Sequence, residues 1–180
     1  MERITIKDKT FELIIKESEI LKSVDKVALQ IKEDYADKNP LFVVVLNGAF
    51  VFASDLLRHM TFPCQFAFTK FSSYEGTNST GKIVEQLPVC ENINGRHIII
   101  VEDIVETGYS MKYLLSRLNE HEPASVEICA LSYKPEKCMV PGLNVKYVGM
   151  TLPEAFIVGY GLDYDGEGRQ LRDIYSLVNR

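Results

Sequence analysis

Apolar residues recur along this chain at two periods, and the switches between them mark its elements. From Ser18 to Ala36, Ile20, Leu21, Val24, Val27, Ala28 and Ile31 fall at helical spacing between charges, which predicts an amphipathic helix. Pro40 ends that pattern, and "LFVVVL" (41–46) follows as an unbroken apolar run. Such a run fits a strand covered on both faces, as parallel strands are. Asn47-Gly48 breaks it, and a short helix is predicted over Phe52–Arg58. "CQFAFTKF" alternates, Cys64, Phe66 and Phe68 against Gln65, Ala67 and Thr69, the pattern of a half-exposed strand. "SSYEGTNSTG" (72–81) has no period and two glycines, so it reads as a mobile loop before a strand over Lys82–Leu87.

The same alternation continues. Asn94-Gly95 forms a turn, and His97–Val101 is predicted as a second buried strand. Met111, Leu114, Leu115 and Leu118 lie on one face of a helix from Ser110 to His121, which Glu122-Pro123 ends. "SVEICALS" (125–132) makes the third buried strand. Strand–helix–strand order with continuous apolar strands implies an α/β fold, a twisted, mainly parallel sheet flanked by helices with right-handed crossovers. Residues after Pro135 hold short strand-like pieces, "VKYVGM" and "FIVGY". The chain therefore reads as one domain, 1–180, with a core over about 38–134 and a small hood from about 1–15 and 135–180.

Composition narrows the class. The 180 residues are 46% hydrophobic and 25% charged, ordinary for one globular core. A net charge of -5 offers no broad basic surface for nucleic acid or anionic lipid. Cys64, Cys90, Cys129 and Cys138 show no CxxC spacing, so neither zinc nor a disulfide framework is expected. The charged start "MERITIKDKTFEL" has no apolar signal region, and no run approaches the ~20 residues that span a bilayer. A cytoplasmic protein fits. The apolar segment "FVFASDLLRHMTF" suits a homodimer or homotetramer.

One string departs from core patterning. "IIIVEDIVETGYS" (98–110) sets Glu102 and Asp103 directly after a buried strand, then Glu106, Thr107, Gly108, Tyr109 and Ser110 before a helix. In open α/β sheets ligands sit beyond the carboxyl ends of the strands. Carboxylates there accept hydrogen bonds from sugar hydroxyls or support a hydrated Mg²⁺. A helix N-terminus with hydroxyls and a glycine makes a phosphate cradle. Together these suggest a clamp for a phosphorylated ribose. Simple capping by Thr107 or Ser110 is the plainer alternative.

That string resembles the 5-phosphoribosyl-1-pyrophosphate (PRPP) motif of the type I phosphoribosyltransferases. The wider chain, from about Leu41 to Arg172, resembles their bacterial hypoxanthine (6-oxopurine) branch, to which "FIVGYGLDYDGEGR" and Lys134 point. The resemblance implies transfer of a 5-phosphoribosyl group from PRPP to hypoxanthine or guanine, with Mg²⁺ as cofactor. Leu46, Asn47 and Gly48 fall on the family's pyrophosphate loop, where a non-proline cis peptide is common; its middle residue is usually Lys and here is Asn. Ser72, Ser73 and Tyr74 fall on the flexible catalytic loop. Lys134 matches the lysine that bonds purine O6, Phe156 the aromatic that stacks on the base, and Ile157 the position whose backbone meets the purine edge. Asp163 matches an acid near base and metal, with Glu102 and Asp103 also near metal and ribose, and Arg169 matches a pyrophosphate-binding arginine. Glu106 stands where the general base for N7 is usually Asp. Three other readings stay open at this point: a different base such as adenine or orotate, a nucleotide-sensing RNA-binding regulator, and an inactive structural homologue.

Overall fold

A computed structural model describes residues 2–73 and 83–178. In chain order it contains β1 (Arg3–Ile6), β2 (Lys9–Ile15), α1 (Glu17–Tyr35), β3 (Leu41–Leu46), α2 (Phe50–Arg58), β4 (Gln65–Ser73) and β5 (Ile83–Leu87). These are followed by β6 (His97–Val105), α3 (Tyr109–Asn119), β7 (Ser125–Tyr133), β8 (Tyr147–Met150), β9 (Ile157–Val158) and β10 (Ile174–Leu177).

The large sheet has the order β5-β4-β3-β6-β7-β8, parallel throughout except where β5 returns antiparallel to β4. Its middle strands are apolar on both faces because both are covered. Phe42, Val44, Ile99, Val101, Cys129 and Leu131 pack under α1 and α2. Leu41, Val43, Ile98, Ile100 and Ile128 pack with Met111, Leu114 and Leu118 of α3 on the other side. Burying one such Val, Leu or Ile side chain stabilises by about 1.5–3 kcal/mol, so these two layers dominate the core. The buried stripe of α1, Ile20, Val24, Val27, Ala28, Ile31 and Tyr35, is the one its helical spacing predicts.

Three expectations need correction. β6 does not stop at Val101 but runs to Val105, since β7 keeps pairing with it through Val105↔Tyr133. Glu102 and Asp103 therefore stand inside the strand. The tail beyond Pro135 does not all join the hood. Tyr147–Met150 becomes the last strand of the large sheet, parallel to β7. Gly149 permits the approach, because a Cβ there would lie 2.8 Å from the Leu131 carbonyl oxygen. Ser72 and Ser73, predicted in a loop, are instead the last residues of β4, and the rest of that predicted loop, Tyr74 included, lies outside the described residues.

The alternation in β4 is real, yet its buried members are Ala67 and Thr69. Phe66 and Phe68 remain 57% and 38% exposed. They share a sheet face with their register partners Phe42 and Val44. The helices on that face contact β3, β6, β7 and β8 and leave β4 open.

A second, antiparallel sheet of order β1-β2-β10-β9 joins the two ends of the chain. Phe11, Val158 and Tyr175 form its small core. Its β9 residue Ile157 lines one cavity with Val45 of β3, Glu102 of β6 and Lys134 just after β7.

Candidate active site

The floor of the site is the last part of β6 and the turn into α3. Glu102 is buried, and its Oε1 accepts a hydrogen bond from the Asp103 amide at 3.0 Å. Asp103 Oδ1 accepts one from the Ile104 amide at 2.7 Å. Burial, and then the Asp103 charge beside it, push the Glu102 carboxyl well above the usual carboxylate range. A buried acid in that state becomes a strong acceptor only when hydroxyl donors or a cation come within reach. The other oxygen of Asp103 lies close to the neighbouring loop: a Cβ on Gly48 would stand 1.6 Å from Asp103 Oδ2. The loop Leu46-Asn47-Gly48, whose Leu46–Asn47 peptide is cis, lies against this acid, and a side chain at 48 would push the carboxylate aside.

The turn itself is built for close approach. Gly108 is the N-cap of α3 with φ 82°, and no side chain caps the helix. The capping role open to Thr107 and Ser110 is thus not taken up; both side chains are exposed. Leu143 Cδ2, Cys138 Sγ and Val140 Cγ2 crowd the place where a Gly108 Cβ would go, at 2.8, 3.1 and 3.3 Å. The Met139 amide donates to the Thr107 carbonyl at 2.9 Å, which ties the segment after β7 to the turn. The first amides of an α-helix have no acceptor of their own, so this end favours an anion.

One wall is an ion pair. The Lys134 amide donates to the Val105 carbonyl at 3.0 Å and so prolongs the β6–β7 ladder by one step. Lys134 is 5% exposed, and its Nζ lies 2.5 Å from Glu106 Oε1. Two residues earlier on β7 stands Ser132, fully buried, whose hydroxyl is the one buried side-chain polar atom among the described residues without a partner.

The roof comes from the hood. Phe156 is half-exposed and packs its ring 6.4 Å from Phe11 and 5.9 Å from Tyr164. Ile157 is buried in β9. Arg169 Nη2 pairs with Asp163 Oδ1 at 2.6 Å, while its Nη1 donates to the Gly161 carbonyl at 2.7 Å. Asp163 Oδ2 also accepts from the Gly166 amide at 2.7 Å. Between them Gly159, Tyr160 and Gly161 take φ values of 99°, 49° and 99° in succession. That conformation is open to glycine and costly for Tyr160. The Tyr160 hydroxyl donates to Asp55 Oδ2 at 2.7 Å. Gly161 meets the loop of β3, since a Cβ on it would lie 2.1 Å from the Gly48 carbonyl oxygen.

These parts enclose a cavity of about 500 Å³. Among residues singled out from sequence, Glu102, Asp103, Glu106, Thr107, Gly108, Ser110, Lys134, Phe156, Ile157 and Asp163 line it. Gly48 and Arg169 adjoin it through their contacts with Asp103 and Asp163, and Leu46 and Asn47 belong to the same loop as Gly48. Tyr109 is half-exposed at the start of α3. Sequence reasoning missed the apolar lining, Val45, Ile104, Met111 and Leu162 among it, because such residues pattern as core. It also missed Tyr160 and Gly161, whose roles come from contacts more than a hundred residues away in the chain.

The sequence pattern of the phosphoribosyl transferase domain matches residues 14–165. The chain belongs to the phosphoribosyltransferase family. It is 36% identical over 159 residues to the hypoxanthine-guanine-xanthine phosphoribosyltransferase of Tritrichomonas foetus, covering 88% of this chain and 87% of that protein. It is 38% identical over 161 residues to the hypoxanthine-guanine phosphoribosyltransferase of Streptococcus pneumoniae, covering 89% of each. The crystal structure of a Bacillus anthracis hypoxanthine-guanine phosphoribosyltransferase, with HEPES in its active site, superposes with a TM-score of 0.87 at 37% identity. That match covers 93% of this chain and 98% of the other.

Against this phosphoribosyltransferase fold, the acid pair meets the requirements of Mg²⁺ in a limited way. Among the described residues no group of three His, Cys, Asp or Glu could hold a metal ion. Two adjacent carboxylates suit a Mg²⁺ that arrives with, and remains bound to, substrate phosphates. Among the described residues no helix is long and apolar enough to cross a membrane.

Proposed function

We propose that this protein is a cytoplasmic purine-salvage enzyme. It transfers the 5-phosphoribosyl group of PRPP to hypoxanthine, and to guanine, giving IMP or GMP and pyrophosphate. The observation that carries this reading is that one cavity holds the acid pair, the uncapped start of α3 and the buried Lys134 beneath Phe156. Its chemistry matches the parts of such a nucleotide: diol, phosphate and 6-oxopurine. The names of the relatives point the same way.

Glu102 and Asp103 accept the ribose hydroxyls. The amides of Glu106 to Ser110, with the Thr107 and Ser110 hydroxyls, hold the 5'-phosphate. Lys134 donates to O6, and an ammonium, which has only donors, suits a carbonyl there and not an amino group. Phe156 stacks on the base, Ile157 meets its edge through the backbone, and Asp163 lies near it. Arg169 carries five N–H donors, so its bonds to Asp163 and Gly161 leave others for the departing pyrophosphate. The loop Leu46-Asn47-Gly48 adds its backbone amides, without the lysine charge usual at 47. Glu102 and Asp103, with Asp163 nearby, would hold a Mg²⁺, which would supply charge neutralisation for the pyrophosphate. As the glycosidic bond breaks, positive charge grows on the ribose, N9 attacks, and Glu106 accepts or holds the N7 proton. Ser72, Ser73 and Tyr74 belong to a lid that keeps water from the sugar cation.

The protein acts as a homodimer or homotetramer through the open face of β4, where Phe66 and Phe68 meet edge to face. Sedimentation that finds only monomer would remove that part.

The main test is pyrophosphate release with PRPP, Mg²⁺ and each of hypoxanthine, guanine, xanthine and adenine. Release with hypoxanthine and guanine and little with adenine is expected. No release with any 6-oxopurine would overturn the reading.

A further inference from the structure

Glu106 and Lys134, the two side chains that the proposed reaction sends to different atoms of the base, touch each other at 2.5 Å. Their backbones cannot move apart easily. The Lys134 amide is bonded to the Val105 carbonyl, so the residue next to Glu106 is locked across from Lys134 by the end of the sheet ladder. With the Cα positions held, arm length decides whether the charges meet. Glutamate spans the gap. Aspartate, one methylene shorter, would leave its carboxylate short of the ammonium.

The pair is also unevenly buried. Lys134 is 5% exposed, whereas the Glu106 side chain is 44% exposed. A buried ammonium needs an acceptor at all times, because an unpaired charge in that setting is strongly unfavourable. The half-exposed carboxylate can be rehydrated when it swings away, whereas the buried ammonium cannot and needs another acceptor in its place. Glu106 is therefore the moving part and Lys134 the fixed one.

We propose that the Glu106–Lys134 ion pair is a gate on the base subsite, which the base opens by inserting its edge between the two charges. Resting on the purine-transfer reading above, the exchange replaces one ion pair with two hydrogen bonds. Lys134 donates to the ring carbonyl at position 6, and Glu106 accepts from the N–H at the adjacent position 7. A 6-amino group brings donors only, so an adenine that forces the gate leaves the Lys134 ammonium without an acceptor. Opening costs the same for either base, so selectivity for a carbonyl comes from what Lys134 meets once the gate is open. Because the gate lies at the base and not at the phosphates, the free energy of opening it appears in the base affinity alone.

Steady-state kinetics of the wild type and Glu106→Asp, varying base and PRPP separately, test this. The shorter arm should unlatch Lys134 and lower the KM for hypoxanthine by about three- to ten-fold, with the KM for PRPP unchanged, as expected for relief of a partly exposed ion pair. An unchanged or higher base KM overturns the gate, and so does a parallel shift in both KM values, which would mean a disturbed phosphate turn. If the variant turns over too slowly, calorimetric titration with hypoxanthine, which carries the N7 proton, reads the same difference: tighter binding by that factor supports the gate, and equal or weaker binding overturns it. A wild type that releases no pyrophosphate with any 6-oxopurine fails the parent reading itself, whereas an active wild type with an indifferent Asp variant fails only the gate.

Discussion

The floor of the cavity comes from one stretch between Glu102 and Met111, while its roof comes from Ala155 to Asp163, folded back through three consecutive left-handed residues. The floor is anchored by the sheet: β7 pairs with β6 at Glu102, Ile104 and Val105, and β3 pairs with it up to Val101. The roof has little ladder of its own, since β9 is two residues long. It is held by backbone bonds from Tyr160 and Gly161 to Leu171 and Arg169, and by two distant contacts, Tyr160 on Asp55 and Gly161 on Gly48. Sites built on sheet ends tolerate change in one side chain, whereas a roof pinned at points is lost when one pin is lost.

Four substitutions sharpen that contrast. Gly161→Ala should do most damage, because its Cβ would meet the Gly48 carbonyl oxygen at 2.1 Å with the backbone at φ 99°. A loss of about 3 kcal/mol or more in urea unfolding, with pyrophosphate release collapsing, is expected. Near wild-type stability would show that the roof is not pinned there. Lys134→Gln comes next. Glutamine presents a donor or an acceptor, so preference for hypoxanthine over adenine, measured as the ratio of kcat/KM values, should fall by about 10- to 100-fold. An unchanged ratio would mean that another group reads position 6.

Glu102→Gln tests the floor. Its carboxyl is pushed up by burial and then by Asp103, so the folded state binds the proton more tightly than the unfolded chain does. Wild-type stability should therefore be greatest below the unfolded carboxyl's range and fall as pH rises toward the folded value, then stay low. Glutamine removes that loss, so the variant's Tm at pH 8 should exceed the wild type's by about 2–4 °C. The two melting curves should converge in acid. Weaker PRPP binding is expected alongside, the usual cost of relaxing a functional site. A gap that does not widen with pH would mean the carboxyl is not destabilised by its burial. The smallest effect is expected of Ser132→Ala. Removing a buried hydroxyl that lacks a partner should raise unfolding free energy by about 1 kcal/mol with turnover retained. A loss of stability would mean that Ser132 has a bound partner such as a buried water.

The same contrast decides what could be read from the sequence. α1, β3, β6 and β7 were legible because burial on one stripe or on both faces leaves a period in the residues. The floor was legible because its acids, hydroxyls and glycine are contiguous. Even there β6 extended four residues past its apolar run, since the pairing of β7 outweighs the poor strand tendency of Glu102 and Asp103. Phe66 and Phe68 show the converse: an apolar alternation fixes two faces but not which one a helix will cover. The roof residues Phe156, Ile157, Asp163 and Arg169 came only from family resemblance. The left-handed run at Gly159 to Gly161 and the reach of Glu106 to Lys134 depend on where distant backbone lies.

The Gly48–Gly161 meeting point has a consequence for anyone altering base preference. Two bare backbones share a seam there. No side chain can be wedged into that seam, so neither segment can be redrawn alone. Libraries that vary 155–165 to admit new bases should vary 46–48 in the same clones, or they will sample mostly broken proteins.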